Sequence, residues 1–197
     1  QANSLNALTS GTVTATLADT RISDLLDSSN GLSESGNAYS ITIGTGDAAA
    51  SASNLNSVNA LTSSAVNVGN VTSITSSSLS DLATLATALA DSNQFSNVTN
   101  IASIAISDTT IEADALASRI DSYDSINGES KTTLMTLASG ATINVASSEI
   151  SHMLADESDG RLRIDDQKIT VDSGTINVAT GKSLTETTTG IVTATLA

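Results

Sequence analysis

The sequence predicts an α/β protein: an elongated parallel solenoid of strand–helix repeats, more purely β towards its C-terminus. Three observations predict it. Residues 9–18 (TSGTVTATLA) return at 188–197 (TTGIVTATLA) with eight of ten positions identical, so Gly11 maps onto Gly190, 179 residues later. Short β-branched runs alternate with helix-like runs along the chain. Large rings are nearly absent, with two Tyr, one Phe and no Trp in 197 residues. A core of Ala, Val, Ile, Leu and Thr methyls needs thin, regular layers, and a solenoid supplies them because each repeat packs only on its neighbours. Residues 1–197 therefore read as a single repeat domain, about one 179-residue period of a longer array. The Ser-, Thr-, Asn- and Asp-rich composition resembles that of disordered chains, but 39% hydrophobic residues in ordered blocks are unlike a solvating tail.

The elements follow in order. Thr12–Leu17 is β-branched on alternate residues and reads as a strand. Ile22, Leu25 and Leu26 then fall at helical spacing, with Asp19 or Thr20 as N-cap. Tyr39–Ile43 is the next strand, followed by Gly44-Thr45-Gly46-Asp47 and a small-residue helix from Ala48 to Leu61. Strand Val71–Ile74 leads through a Ser77 or Ser78 cap into a stripe of Leu79, Leu82, Leu85, Ala86 and Leu89. Strand Ile101–Ile106 is followed by Asp108, as cap, and Ile111, Ala115, Leu116 and Ile120. Strand Ala141–Val145 leads through Ser147 or Ser148 to Ile150, Met153 and Leu154. From about Arg161 the helical signal fades, and Leu162–Ile164, Lys168–Val171 and Thr175–Val178 read as consecutive strands. Strand–helix–strand repeats imply parallel strands with right-handed crossovers.

Local identities support duplication. Asn6–Ser10 (NALTS) recurs as Asn59–Ser63, and Ser139–Ala146 (SGATINVA) recurs as Ser173–Ala179 with one residue deleted. The segments Leu5–Leu26, Gly36–Asn56 and Val66–Leu85 resemble repeats of very long secreted, adhesin-like proteins of marine bacteria and cyanobacteria, some of which carry calcium-binding RTX-type regions. The resemblance covers most of residues 5–155. It implies a location outside the cell, at the surface or in a matrix, and supplies no catalytic residues. The RTX nonapeptide G-G-x-G-x-D is absent here, so calcium is not inherited from it.

Charge excludes several partners. Twenty-one acidic and seven basic residues give a net charge of −14, so nothing neutralises a nucleic-acid backbone or an anionic membrane surface. No apolar run approaches the ~18 residues of a membrane span, so no membrane insertion is expected. The first twenty residues lack a basic start and an apolar stretch, placing any export signal outside this segment. Without Cys there is no disulfide framework and no thiolate metal site.

Candidate sites are few. Asp156, Asp159, Asp165 and Asp166, with Glu157, form the densest acidic cluster; their oxygens could surround Ca²⁺, although no EF-hand pattern is present and Arg161, Arg163 and Lys168 could pair with them instead. His152 is the only histidine, and no G-x-S-x-G elbow accompanies it, so no catalytic residues and no enzyme are expected. Gly44-Thr45-Gly46 lacks the further glycine and lysine of a phosphate loop and reads as a turn. The T-x-T rows at Thr12, Thr14 and Thr16 and at Thr193 and Thr195 have an ice-binding look that β propensity also explains. Asn70-Val71-Thr72 and Asn97-Val98-Thr99 match the glycosylation pattern, as chance allows in so Asn- and Thr-rich a chain.

The expected function is structural: an extracellular or cell-surface repeat protein, such as an adhesin stalk, sheath, matrix or filament subunit. It is expected to continue or assemble head-to-tail through two edge strands. One comprises Thr12, Val13, Thr14, Ala15, Thr16 and Leu17; the other comprises Ile191, Val192, Thr193, Ala194, Thr195 and Leu196. The alternative expectation is a binding module for glycan, calcium or ice on the solenoid face.

Overall fold

The computed structural model describes residues 2–17, 21–32, 36–98, 101–128 and 133–197. It is a mixed α/β structure with seven helices among the described residues, and its paired strands run parallel. The chain forms two compact units, Gln1–Thr75 with Ser80–Ile101, and Ser76–Leu79 with Ala102–Ala197.

The first stretch of chain runs α1 (Ala2–Asn6), β1 (Thr14–Thr16), α2 (Ile22–Leu25), β2 (Ala38–Ser40), a 3-10 turn (Thr45–Asp47), β3 (Ala49–Ser51) and α3 (Ala52–Ala60). It continues through β4 (Val66–Asn67), β5 (Ser73–Ser77), α4 (Leu79–Leu89) and β6 (Phe95–Ser96). Each strand meets the one a turn of chain later: Thr14 lies opposite Ala38, Ala49 opposite Ser73, and Val66 opposite Phe95. Tyr39, Ile41 and Ile43, at strand spacing, all point into the core, as do Leu55 and Val58 from α3 and Leu82, Leu85 and Leu89 from α4. Each such side chain contributes about 1.5–3 kcal/mol by leaving water.

The second unit holds β7 (Ser103–Ile106), β8 (Thr110–Glu112), α5 (Ala113–Asn127), β9 (Leu134–Thr136), β10 (Thr142–Ala146) and α6 (Ile150–Ser158). It ends with β11 (Leu162–Arg163), β12 (Lys168–Ser173), α7 (Val178–Thr187) and β13 (Val192–Thr193). One sheet has the order β8–β10–β12–β13, which stacks Ile111, Ile143, Ile169 and Val192 in one row. A second row stacks Ile104, Met135 and Leu162 through β7, β9 and β11. All of these are buried except Val192, which lies on the last strand of its sheet. The three rings of the sequence, Tyr39, Phe95 and Tyr123, are buried too.

Several elements differ from the sequence reading. The first strand is shorter, Thr14–Thr16. Asp19 and Thr20 lie outside the described residues; the Ile22 amide donates instead to the Asp47 carboxylate, 2.9 Å away and 25 residues later. Residues 49–51 are a strand, not the start of a helix. Ser51 is extended, and its hydroxyl accepts the Asn54 amide, so α3 begins only after it. The strand expected at Val71–Ile74 is β5, which starts two residues later, and β4 was not foreseen. Asp108 does not cap the helix that follows it. Its carboxylate accepts the Leu79 amide at 2.7 Å, while Ile111 lies in β8 and Ala115 is exposed on α5. Neither Ser147 nor Ser148 is the N-cap of α6; Glu149 is.

The expectation of a more purely β C-terminus is overturned. Thr175–Val178 makes only a single bridge, Ile176 to Leu196, and the chain then forms the ten-residue helix α7. Asn177 decides this locally, since its side chain accepts the Thr180 amide at 2.9 Å and closes an N-cap where β propensity alone predicts a strand.

Candidate functional site

Both predicted edge segments lie at the borders of sheets. In a parallel ladder successive residues turn their backbone groups to opposite sides. In the first copy the odd residues face β2. The Val13 amide donates to Asn37 Oδ1 at 2.8 Å, the Ala38 amide donates to the Val13 carbonyl at 2.9 Å, and the Leu17 amide donates to the Ser40 carbonyl at 3.3 Å. Asn37 is buried, and its Nδ2 donates to Asn6 Oδ1. Thr12, Thr14 and Thr16 are exposed.

The second copy is bonded on its other side. The Ile169 amide donates to the Ile191 carbonyl, the Ile176 amide to the Thr195 carbonyl and the Ala197 amide to the Ile176 carbonyl, at 2.9–3.0 Å. By alternation Val192, Ala194 and Leu196, the counterparts of Val13, Ala15 and Leu17, turn their backbone groups the opposite way. Of the expected strand Ile191–Leu196, only Val192 and Thr193 are in β13, with Leu196 adding the isolated bridge.

Side chains repeat the contrast. Thr188 is buried: its hydroxyl donates to the Gln167 carbonyl at 2.6 Å and accepts the Gly190 amide at 2.9 Å. Thr62 repeats the arrangement, donating to the Tyr39 carbonyl and accepting the Ser64 amide. Thr9 makes the same turn with the Gly11 amide and is exposed. Gly190 lies so close to Gln167 that a Cβ would sit 2.2 Å from its carbonyl oxygen, whereas at Gly11 the nearest atom would be Thr9 Oγ1 at 3.4 Å. Ser4-Leu5 recurs as Ser183-Leu184 at the same offset; Leu184 is 0% exposed and Leu5 53%. The exposed large hydrophobics among the described residues are Leu5, Leu8, Ile191 and Leu196, in or next to the two copies, and Val178 at the start of α7.

The four aspartates predicted to hold calcium do not converge. Asp156 is buried in α6 and bonded to Arg161 Nη2. Asp159 is the exposed C-cap of α6, and Asp165 pairs with Arg163 at 2.8 Å. Asp166 accepts the Ser139 hydroxyl at 2.6 Å, which, with the Gly140 amide, holds its carboxyl below the usual range. Among the described residues no group of three or more His, Cys, Asp or Glu side chains is arranged for a metal ion.

Arg161 pairs with Asp156, as the sequence reading allowed, and also reaches Asp124 (3.1 Å) and Asp121 (3.5 Å) of α5, which that reading missed. Three carboxylates share one guanidinium. Burial pushes the Asp156 carboxyl up, and the neighbouring Arg161 only partly offsets it. The exposed His152 Nε2 lies 3.9 Å from Asp156 and lines a cleft of about 250 Å³ between α5 and α6, with Asp121 and Glu149. The hydroxyl in that lining, on Ser118, donates to the Asp114 carbonyl rather than facing the imidazole. Elsewhere, Gly44–Gly46 leads only into the 3-10 turn, with the Asp47 carboxylate beside it. The Asn70 side-chain amide is spent on the Ile43 carbonyl, and Thr99 of the other glycosylation pattern lies outside the described residues. No helix among the described residues is long and apolar enough to cross a membrane.

Comparison with family models, curated proteins and solved structures finds no match to this chain.

Proposed function

We propose that this chain is a structural repeat element, a segment of an α/β solenoid that continues head-to-tail in a rod or filament outside the cell, at the surface or in a matrix. One observation carries the reading. A ten-residue motif occurs twice with eight positions identical, bonded on opposite edges, and the reading takes the two copies together as one interior strand with neighbours on both sides. The exposed Leu and Ile residues of the end segments support it, because apolar burial would supply most of the energy of such a junction and the strand ladder its register. A head-to-tail contact is heterologous and need not close, which yields a rod rather than a ring.

The net charge of −14 opposes association at low salt, and screening relieves it as the Debye length falls to about 10 Å near 0.1 M. Particle length by negative-stain microscopy across salt concentration tests the reading. Rods that lengthen with salt are expected; single particles of one length under every condition would contradict it.

A further inference from the structure

Resting on this head-to-tail reading, we infer that residues 188–196 of one chain take the place that residues 9–17 hold beside β2 of a second copy of this chain, one strand replacing its near-duplicate. The receiving groups are the Asn37 side chain, the Ala38 amide and the Ser40 carbonyl, which meet the backbone of Val13 and Leu17. The incoming strand presents Val192, Ala194 and Leu196 where the resident presents Val13, Ala15 and Leu17, residue for residue identical. The two positions that differ, Ser10 against Thr189 and Thr12 against Ile191, are both exposed in the first unit, so neither difference alters a buried contact with β2.

The exchange improves the strand. Among the described residues the resident strand is paired in its sheet with β2 alone, and the preceding helix α1 has no buried residue. The bonds it gives up include the Asn3 amide on the Gly31 carbonyl and the Asn6–Asn37 pair. The incoming segment arrives already bonded on its rear edge to Ile169 and Ile176, with Thr188 clipped to Gln167, and gains β2 on its front edge. Neither copy contains a charged residue, so the repulsion of two acidic chains has no local focus there. Stacking intact β1 on β13 would instead join the Thr12 side of one copy to the Val192 side of the other, a pairing that none of the described strand pairs makes.

The absence of cysteine makes the test specific. Thr16 lies opposite Ser40 in the ladder, both exposed, and Thr195 is the counterpart of Thr16. Chains carrying Ser40→Cys and chains carrying Thr195→Cys are mixed at a salt concentration where the natural chain associates, then oxidised, with Thr72→Cys replacing Ser40→Cys as the control. A covalent dimer joined through positions 40 and 195, above the control pair, is expected; its absence would overturn the exchange. In a second arm, the double variant Thr16→Cys/Ser40→Cys is oxidised to pin β1 on β2 and is followed by sedimentation. Loss of association, regained on reduction, is expected. Unchanged association of the pinned chain would overturn the exchange while leaving head-to-tail stacking in place. A natural chain that stays monomeric at every salt concentration would remove both.

Discussion

Leu5 and Leu184 occupy the same place in two copies of one motif, yet one is half exposed and the other fully buried. Gly11 and Gly190 differ in the same way: a Cβ at the first would meet only the Thr9 hydroxyl, at 3.4 Å, and one at the second would press against a backbone carbonyl. The residues are identical, so the difference is not a matter of propensity. It comes from what lies beside each copy: the segment carrying Asp165 and Gln167 meets the second, while among the described residues the first is paired in its sheet only with β2. On the front edge the contrast reverses, since the first copy is covered by β2 and the second ends its sheet. Each copy's burial is thus set by its neighbours rather than by its own residues, as the proposed repeat architecture requires.

Paired substitutions should reproduce this asymmetry as unequal losses. Leu184→Ala should cost about 2–5 kcal/mol, while Leu5→Ala should stay within about 0.5 kcal/mol. Urea unfolding of both variants would check this, and equal losses would break the comparison. Gly190→Ala forces a methyl group against the Gln167 carbonyl and should cost about 1–3 kcal/mol, with Gly11→Ala near neutral in the isolated chain. Thermal melts of the two variants would show it. Thr188→Val strands the Gln167 carbonyl and the Gly190 amide and should cost about 1–3 kcal/mol; Thr9→Val should cost less, since only its own turn is lost.

The smallest effect lies outside both copies. Burial holds the Asp156 carboxyl above its usual value of 3.8, so its contribution to stability is full below that pH and is lost as pH rises through the folded-state value. Asp156→Asn should therefore gain stability relative to the natural chain as pH rises through that window. It should leave the Leu5 and Leu184 contrast unchanged. Urea titrations at a series of pH values would test both statements.

Legibility in the sequence followed how local each cause was. The stripe Leu82, Leu85, Ala86 and Leu89 announced α4 because helical spacing is a local signal. TVTATL announced a strand for the same reason. The short strands β3 and β8 did not stand out, because each is three residues long and runs directly into a helix. The caps at Ile22 and Leu79 come from Asp47 and Asp108, 25 and 29 residues away, beyond any local cue. The acidic cluster at 156–166 looked like one site because its members are close in sequence, but Arg161, Arg163 and Ser139 divide them among separate partners. Both edge segments were legible because they repeat. Their opposite bonding was not, since it depends on which turns of chain flank each one.

Amide hydrogen exchange of the monomeric chain, resolved by NMR, tests the central claim most directly. The account predicts opposite phases in one sequence: slow exchange at Val13, Ala15 and Leu17 against fast exchange at their counterparts Val192, Ala194 and Leu196, with Ala197 slow. In the proposed head-to-tail assembly Val192, Ala194 and Leu196 should become protected as well. The same phase of protection in both copies of the monomer would contradict the claim that they are one strand with opposite neighbours missing.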